Sequence, residues 1–312
     1  MKGGTILKRR GLKGTTIALF LGVLWAGGVN AAVKVPVFVS ILPQKYFVQK
    51  IGGDFVDVSV MVEPGASPAT YEPKPRQMVA ISKAKAYFSI GVPFEKAWLK
   101  KIALSNPTMV VVHTDWGIKK LPMKSHSHHG QEEQPGKAKH HQEVEHRHEH
   151  GGLDPHIWLS PPLVMVQARA ILTGLQEVDP AHRAAYEAQY KGFVSELVDL
   201  DAELRNTFFG RPGLQFMVFH PAWGYFAHSY GLRQIPIEIE GKDPKPAQLR
   251  ELIEHARESN IKVIFVQPQF SSSSAGLVAR EIGGQVAFVD PLAADWAKNL
   301  LEVATKFKAA LR

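Results

Sequence analysis

The sequence predicts an α/β fold with two lobes, each built on a four-stranded parallel sheet, joined by one long rigid helix. Three observations carry this. Eight short β-branched runs alternate with helical patterns, the rhythm of parallel βα units. A histidine-rich run with almost no core-forming side chain splits the strands into two sets of about four. A single apolar periodicity of about thirty residues, far longer than the other helices, follows that run.

At the amino end, Lys2, Lys8, Arg9, Arg10 and Lys13 precede the apolar stretch TTIALFLGVLWAGGV, and Val29-Asn30-Ala31 supplies small residues for cleavage. This reads as a signal peptide over 1–31, too short in its apolar part for a retained span. An amino-terminal lobe is expected over 32–178, with strands at 33–41, 55–63, 86–91 and 108–114. Helices at 75–84, 94–105 and 163–177 accompany them. Asp179-Pro180 then provides an N-cap and first-turn proline, and Gly210 with Pro212 supplies the stop. Between them Tyr186, Tyr190, Phe193, Leu197, Leu200, Leu204 and Phe208 recur every three or four residues, one face of a helix. At 1.5 Å per residue this spine, 179–209, spans roughly 45 Å and resists the wide closure a glycine hinge would allow. The carboxy-terminal lobe, 210–312, carries strands at 216–220, 233–240, 262–268 and 285–290, with helices at 246–259, 275–282 and 295–311.

Composition narrows the function. The chain has no cysteine, which excludes a lipid-modified cysteine and any disulfide framework. Five of the positive charges behind the formal +8 lie in the signal, leaving about +3, so the basicity reflects targeting and not nucleic-acid binding. Roughly 280 mature residues exceed one ordinary core, consistent with two lobes. The expected compartment is the periplasm.

The run 124–150, KSHSHHGQEEQPGKAKHHQEVEHRHEH, holds eight of the fourteen histidines: His126, His128, His129, His140, His141, His146, His148 and His150. With Val144 as its one aliphatic residue beyond Ala138, it is expected to be disordered. Imidazole at this density suits accessory, low-affinity binding of a borderline metal such as zinc, nickel or copper.

Ligands of open parallel sheets gather beyond the carboxyl ends of the strands. His220 ends FMVFH, Asp290 ends QVAFVD, and His156 stands in DPHIWLSP, just after the histidine run. Two imidazoles and a carboxylate suit Zn²⁺, with bonds of about 2.0–2.2 Å. Each residue alone has an ordinary role: a strand-end histidine packs or caps, and Asp290-Pro291 makes a turn. Their equivalent positions beside a histidine-rich run argue for a set. His182 and His255 are placed on solvated helix faces, His228 on a helix surface and His113 before a turn.

The segments EPGASPATYEPKPRQM, LDPHIWLSP, HPAWGYFA, VQPQFSSSSA and FVDPLAADW, in this order, resemble the periplasmic zinc- and manganese-binding receptors of ABC importers, across essentially all of 33–312. The resemblance implies two α/β lobes on a rigid helix, no enzymatic activity, and a monomer that hands metal to a cognate membrane permease. No nucleic acid and no small-molecule substrate are expected. It puts ligand roles on His156, His220 and Asp290. One position departs: the family's first histidine falls on Ala69, in SPATYEP, whose methyl group ligates nothing. Water, Glu72 or a histidine of 124–150 is left to fill that position.

Three protein ligands with an open position are also the pattern of a zinc hydrolase. Against this, the chain has no H-E-x-x-H motif and no carboxylate placed as general base. A passive periplasmic zinc buffer uses the same residues without a permease. Two histidines, a carboxylate and a histidine-rich run favour zinc over manganese, which prefers oxygen-rich sites.

Overall fold

The protein is described from a computed structural model, which covers residues 1, 3–4, 33–123, 152–238, 242–271 and 273–310. The histidine-rich run, with its eight histidines, and nearly all of the expected signal lie outside the described residues.

Two parallel sheets share one strand order. In the first, β1 (Val35–Val39), β2 (Val56–Val60), β3 (Ala86–Ser89) and β4 (Val110–His113) are arranged β2-β1-β3-β4. In the second, β5 (Gln215–Val218), β6 (Arg233–Pro236), β7 (Val263–Val266) and β8 (Gln285–Phe288) are arranged β6-β5-β7-β8. All eight expected strands form, each shorter than its apolar run.

Parallel strands need crossovers, and helices supply them. They are α1 (Leu42–Gly52), α2 (Pro75–Ile81) and α3 (Pro93–Ser105) in the first half, where α4 (Pro161–Val178) comes after the last strand. In the second half they are α6 (Gly224–Ser229), α7 (Pro246–Glu258) and α8 (Ser273–Glu281), and α9 (Trp296–Ala310) comes after the last strand. The spacing of apolar residues did not single out α1. Its face is short, Phe47, Val48 and Ile51, and Gly53 at φ +53° ends it.

The long helix α5 runs Arg183–Phe208, 26 residues, or about 39 Å at 1.5 Å per residue. It starts later than Asp179 because Pro180–His182 form a separate 3-10 turn. Asp179 does not cap it: its Oδ2 accepts the Tyr186 hydroxyl at 2.6 Å and faces His182 Nδ1 at 2.7 Å. Tyr186, Phe193, Leu197, Leu200, Leu204 and Phe208 are buried, and α5 packs on α1, α4 and α9. Each such side chain contributes about 1.5–3 kcal/mol by leaving water.

One apolar cluster extends from Val37, Phe47 and Phe88 through Leu197 and Leu204 to Phe216, Trp223 and Phe307. A smaller cluster, including Ile235, Leu252, Ile264 and Val278, fills the other face of the second sheet under α7 and α8. The continuity of the larger cluster through α5 is what holds the strand ends of the two sheets as one framework.

Candidate metal centre

His220 stands two residues past the end of β5, and its main chain is locked there by Gln267: the His220 N–H donates to Gln267 Oε1 at 3.2 Å, and Gln267 Nε2 donates to the His220 carbonyl at 2.6 Å. Its ring stacks on Phe270 at 4.6 Å between centroids. Its Nδ1 lies 2.7 Å from Oε1 of Glu238, which is buried just beyond β6. His156 precedes the 3-10 turn Ile157–Leu159, and Oδ1 of buried Asp154 accepts both its backbone N–H at 2.9 Å and its Nδ1 at 2.7 Å. Tyr225 in turn donates to the Asp154 carbonyl at 3.0 Å, and Gly224 leaves room for the carboxylate, since a Cβ there would meet Asp154 Oδ2 at 2.7 Å.

An ionised carboxylate only accepts, so the Nδ1 facing it carries the proton and Nε2 presents its lone pair. Both imidazoles are therefore set in the same tautomer, and their Nε2 atoms face each other at 3.3 Å. Two lone pairs at that separation repel unless a positive centre lies against both. Burial pushes the His156 pKa down, the strongest influence on it, and Asp154 pulls the other way. The ring accordingly favours its neutral, ligating form.

Asp290 follows β8, half-buried. Its Oδ1 accepts from Gln269 Nε2 at 2.9 Å and from the Leu292 N–H at 2.9 Å, while Asn299 Nδ2 donates to its carbonyl at 2.8 Å. It lines a cavity of about 290 Å³ with Ile41, Glu63 and Gly65 from the first half and Gln269 and Leu292 from the second. Among the described residues, no group of three or more His, Cys, Asp or Glu side chains is gathered closely enough to hold a metal. The structure thus brings His156 and His220 together, while Asp290 is held on the cavity wall. Ala69 and Glu72 are exposed, and the Ala69 N–H donates to Ser67 Oγ at 3.2 Å. Glu63 is engaged by Lys74 Nζ and Arg76, each at 2.5 Å.

Of the other histidines, His228 is exposed on α6, and His113 ends β4, stacked on Trp116 at 4.5 Å. His182 and His255 are less solvated than their helix positions suggest. His182 stacks on Phe55 at 4.1 Å, and His255 Nε2 lies 3.1 Å from Gln215 Oε1. Sequence reasoning missed Asp154 and Glu238. Asp154 was visible two residues before His156, whereas Glu238 has no spacing signal toward His220.

Residues 37–310 match the family of the periplasmic zinc-uptake complex component A, ZnuA. The chain belongs to this family. The high-affinity zinc uptake system protein ZnuA of Bacillus subtilis (strain 168) is 30% identical over 263 residues, 83% of this chain and 79% of that protein. The iron-binding protein YfeA of Yersinia pestis is 28% identical over 255 residues, 79% of this chain and 75% of that one. A crystal structure of a ZnuA deletion mutant plus zinc bound is 43% identical with a TM-score of 0.78, covering 89% of this chain and 98% of that chain. The family comprises extracytoplasmic substrate-binding receptors of metal ABC importers, which work with a permease and an ATPase; they are not enzymes, so the hydrolase alternative falls away. Among the described residues no helix is long and apolar enough to cross a membrane.

Proposed function

We propose that the chain captures Zn²⁺ between His156 and His220, with Asp290 as third protein ligand, and delivers it as a monomer in the periplasm to its cognate ABC permease. The observation that carries this is the 3.3 Å separation of the two Nε2 atoms. For a tetrahedral ion with bonds of about 2.0–2.1 Å, two ligand atoms stand roughly 3.3–3.4 Å apart. The imidazole pair already has that spacing, and the buried carboxylates behind it hold both rings in the ligating tautomer. Nitrogen donors favour zinc over manganese, and the zinc-binding relatives support the same choice. The basic, then apolar, amino terminus supports export by a signal peptide over 1–31. The segment 124–150 serves as an accessory reservoir that raises capture when zinc is scarce. Competition titration of Zn²⁺ into His156→Ala, His220→Ala and Asp290→Ala tests the site. Each is expected to bind more weakly by orders of magnitude, and parental affinity in all three would end the assignment.

A further inference from the structure

The segments bearing His156 and Asp290 meet through two indoles. Trp158 lies two residues past His156 in the turn Ile157–Leu159, and Trp296 opens α9, six residues past Asp290. Each is 1% exposed. Trp158 donates its Nε1–H to the carbonyl of Pro291, next to Asp290, at 2.7 Å. Trp296 donates its own Nε1–H to the carbonyl of Trp158, also at 2.7 Å. The exchange is reciprocal: each segment gives a donor to the other and takes one from it.

Burial of an indole does not by itself produce such a bond. Trp223 is 0% exposed, yet among the described residues its Nε1 has no partner. At Trp158 and Trp296 both N–H groups are aimed at carbonyls within two residues of a proposed ligand. Sliding one segment along the other by roughly 1 Å would break both bonds and strand two donors away from water. The clasp is braced from the first half of the molecule by α1, where Phe47 meets Trp296 edge-on at 4.9 Å and Tyr46 lies at 6.0 Å. On the far side, Asn299 on the next turn of α9 holds the Asp290 carbonyl.

We infer that the Trp158–Trp296 clasp is a positioning device for the metal centre. It sets the loop carrying Asp290 against the turn carrying His156, so that carboxylate and imidazole keep one spatial relation when the ion enters. This rests on the reading of His156, His220 and Asp290 as ligands. Neither indole touches the ion; each acts through the main chain beside a ligand.

The test compares Trp158→Phe and Trp296→Phe, together with benzothienylalanine placed at either position, which keeps the ring shape and replaces only N–H by sulfur. Zn²⁺ affinity is read by competition with a chromophoric chelator, zinc release by stopped flow, and ligand geometry from the visible spectrum of the Co²⁺ form. Each change is expected to weaken zinc about tenfold, the lower end of what outer-shell losses cost, to speed release and to shift the Co²⁺ bands. In an Asp290→Ala background the same change should add no further loss, because the clasp acts through Asp290. A lowered melting temperature with parental zinc affinity and Co²⁺ spectrum would overturn the clasp alone, provided Asp290→Ala binds weakly. Parental affinity in Asp290→Ala would instead overturn the reading of Asp290 as a ligand and the clasp with it. Should the phenylalanine variants fold poorly, the benzothienylalanine forms decide.

Discussion

The two sheets have the same strand order, yet their carboxyl ends are used differently. Beyond β1 and β3 lies a closed polar network. Ser40 Oγ is hydrogen-bonded to the Tyr87 hydroxyl at 2.7 Å and donates to Glu95, whose carboxylate also accepts the N–H groups of Ile90 and Gly91 at 3.0 and 2.7 Å. Gln44 bridges the Ser40 N–H, the Phe88 carbonyl and Thr114. Every one of these groups is satisfied inside the lobe. Beyond β5, the counterpart of β1, stands His220, with Glu238 beyond β6 behind it, and here the outer nitrogen is turned toward a second imidazole. The first arrangement stabilises a lobe; the second leaves a lone pair for something outside the protein. A buried carboxylate at a strand end is therefore not a sign of function in itself. What it backs decides.

That contrast breaks most visibly at the imidazoles. His220→Ala should reduce zinc affinity by orders of magnitude, while Ser40→Ala, at the matching end of β1, should leave it near parental and cost about 1–3 kcal/mol of stability. Equal losses of zinc in both, by competition titration, would erase the distinction between the two ends.

The next effect is one of pH. Burial, ahead of any other influence, raises the Glu95 carboxyl from 4.5 to about 7. Between those values the folded chain keeps a proton that the unfolded chain has released, so this group's contribution is best below about pH 4.5 and is lost as pH rises through 7. Over that window it amounts to about 3 kcal/mol. Glu95→Gln keeps one acceptor oxygen but cannot titrate, and should remove this slope. Urea midpoints at pH 5 and 8 check it, and an unchanged difference between the two pH values would mean that Glu95 does not titrate with folding.

Smaller shifts should follow from the carboxylates behind the imidazoles. Glu238→Gln and Asp154→Asn each keep the side-chain shape but lose the charge that holds Nδ1–H, and should weaken zinc about 10–100-fold. Glu95→Gln should not, and a zinc titration of the three variants sharpens the comparison directly.

The smallest change is a gain. Ala69→His places an imidazole in the exposed loop after β2, at the position the sequence resemblance assigns to a family histidine. It should tighten zinc modestly and slow its release, with little loss of stability for a surface loop. Unchanged release by stopped flow would indicate that another group already takes that coordination position.

Much of this was legible along the chain. Inner strands were visible because a parallel strand buried on both faces must be continuously apolar, as VPVFV and VIFV are, while edge strands such as VDVSV showed alternation. The α5 face was readable from seven apolar residues at helical spacing, and six of them are buried. His156 and His220 were picked out as candidates from local sequence and, for His220, from its place after a strand. The short α1 was overlooked because one and a half turns of apolar face give too little periodicity. His182 was misjudged because helix position does not reveal that Phe55, 127 residues earlier, covers its ring.

The sequence by itself determined the elements, their alternation and the candidate ligands, because those depend on periodicity, turn chemistry and ligand type within short windows. Only the tertiary structure decided that two imidazoles 64 residues apart meet at 3.3 Å, that Asp154 and Glu238 stand behind them, and that Asp290 lies on a cavity wall held by Gln269. The reason is that hydrogen-bond distance is set by how α5 and the continuous core lock the two sheets together. That locking is a property of packing across hundreds of residues, and no local window contains it.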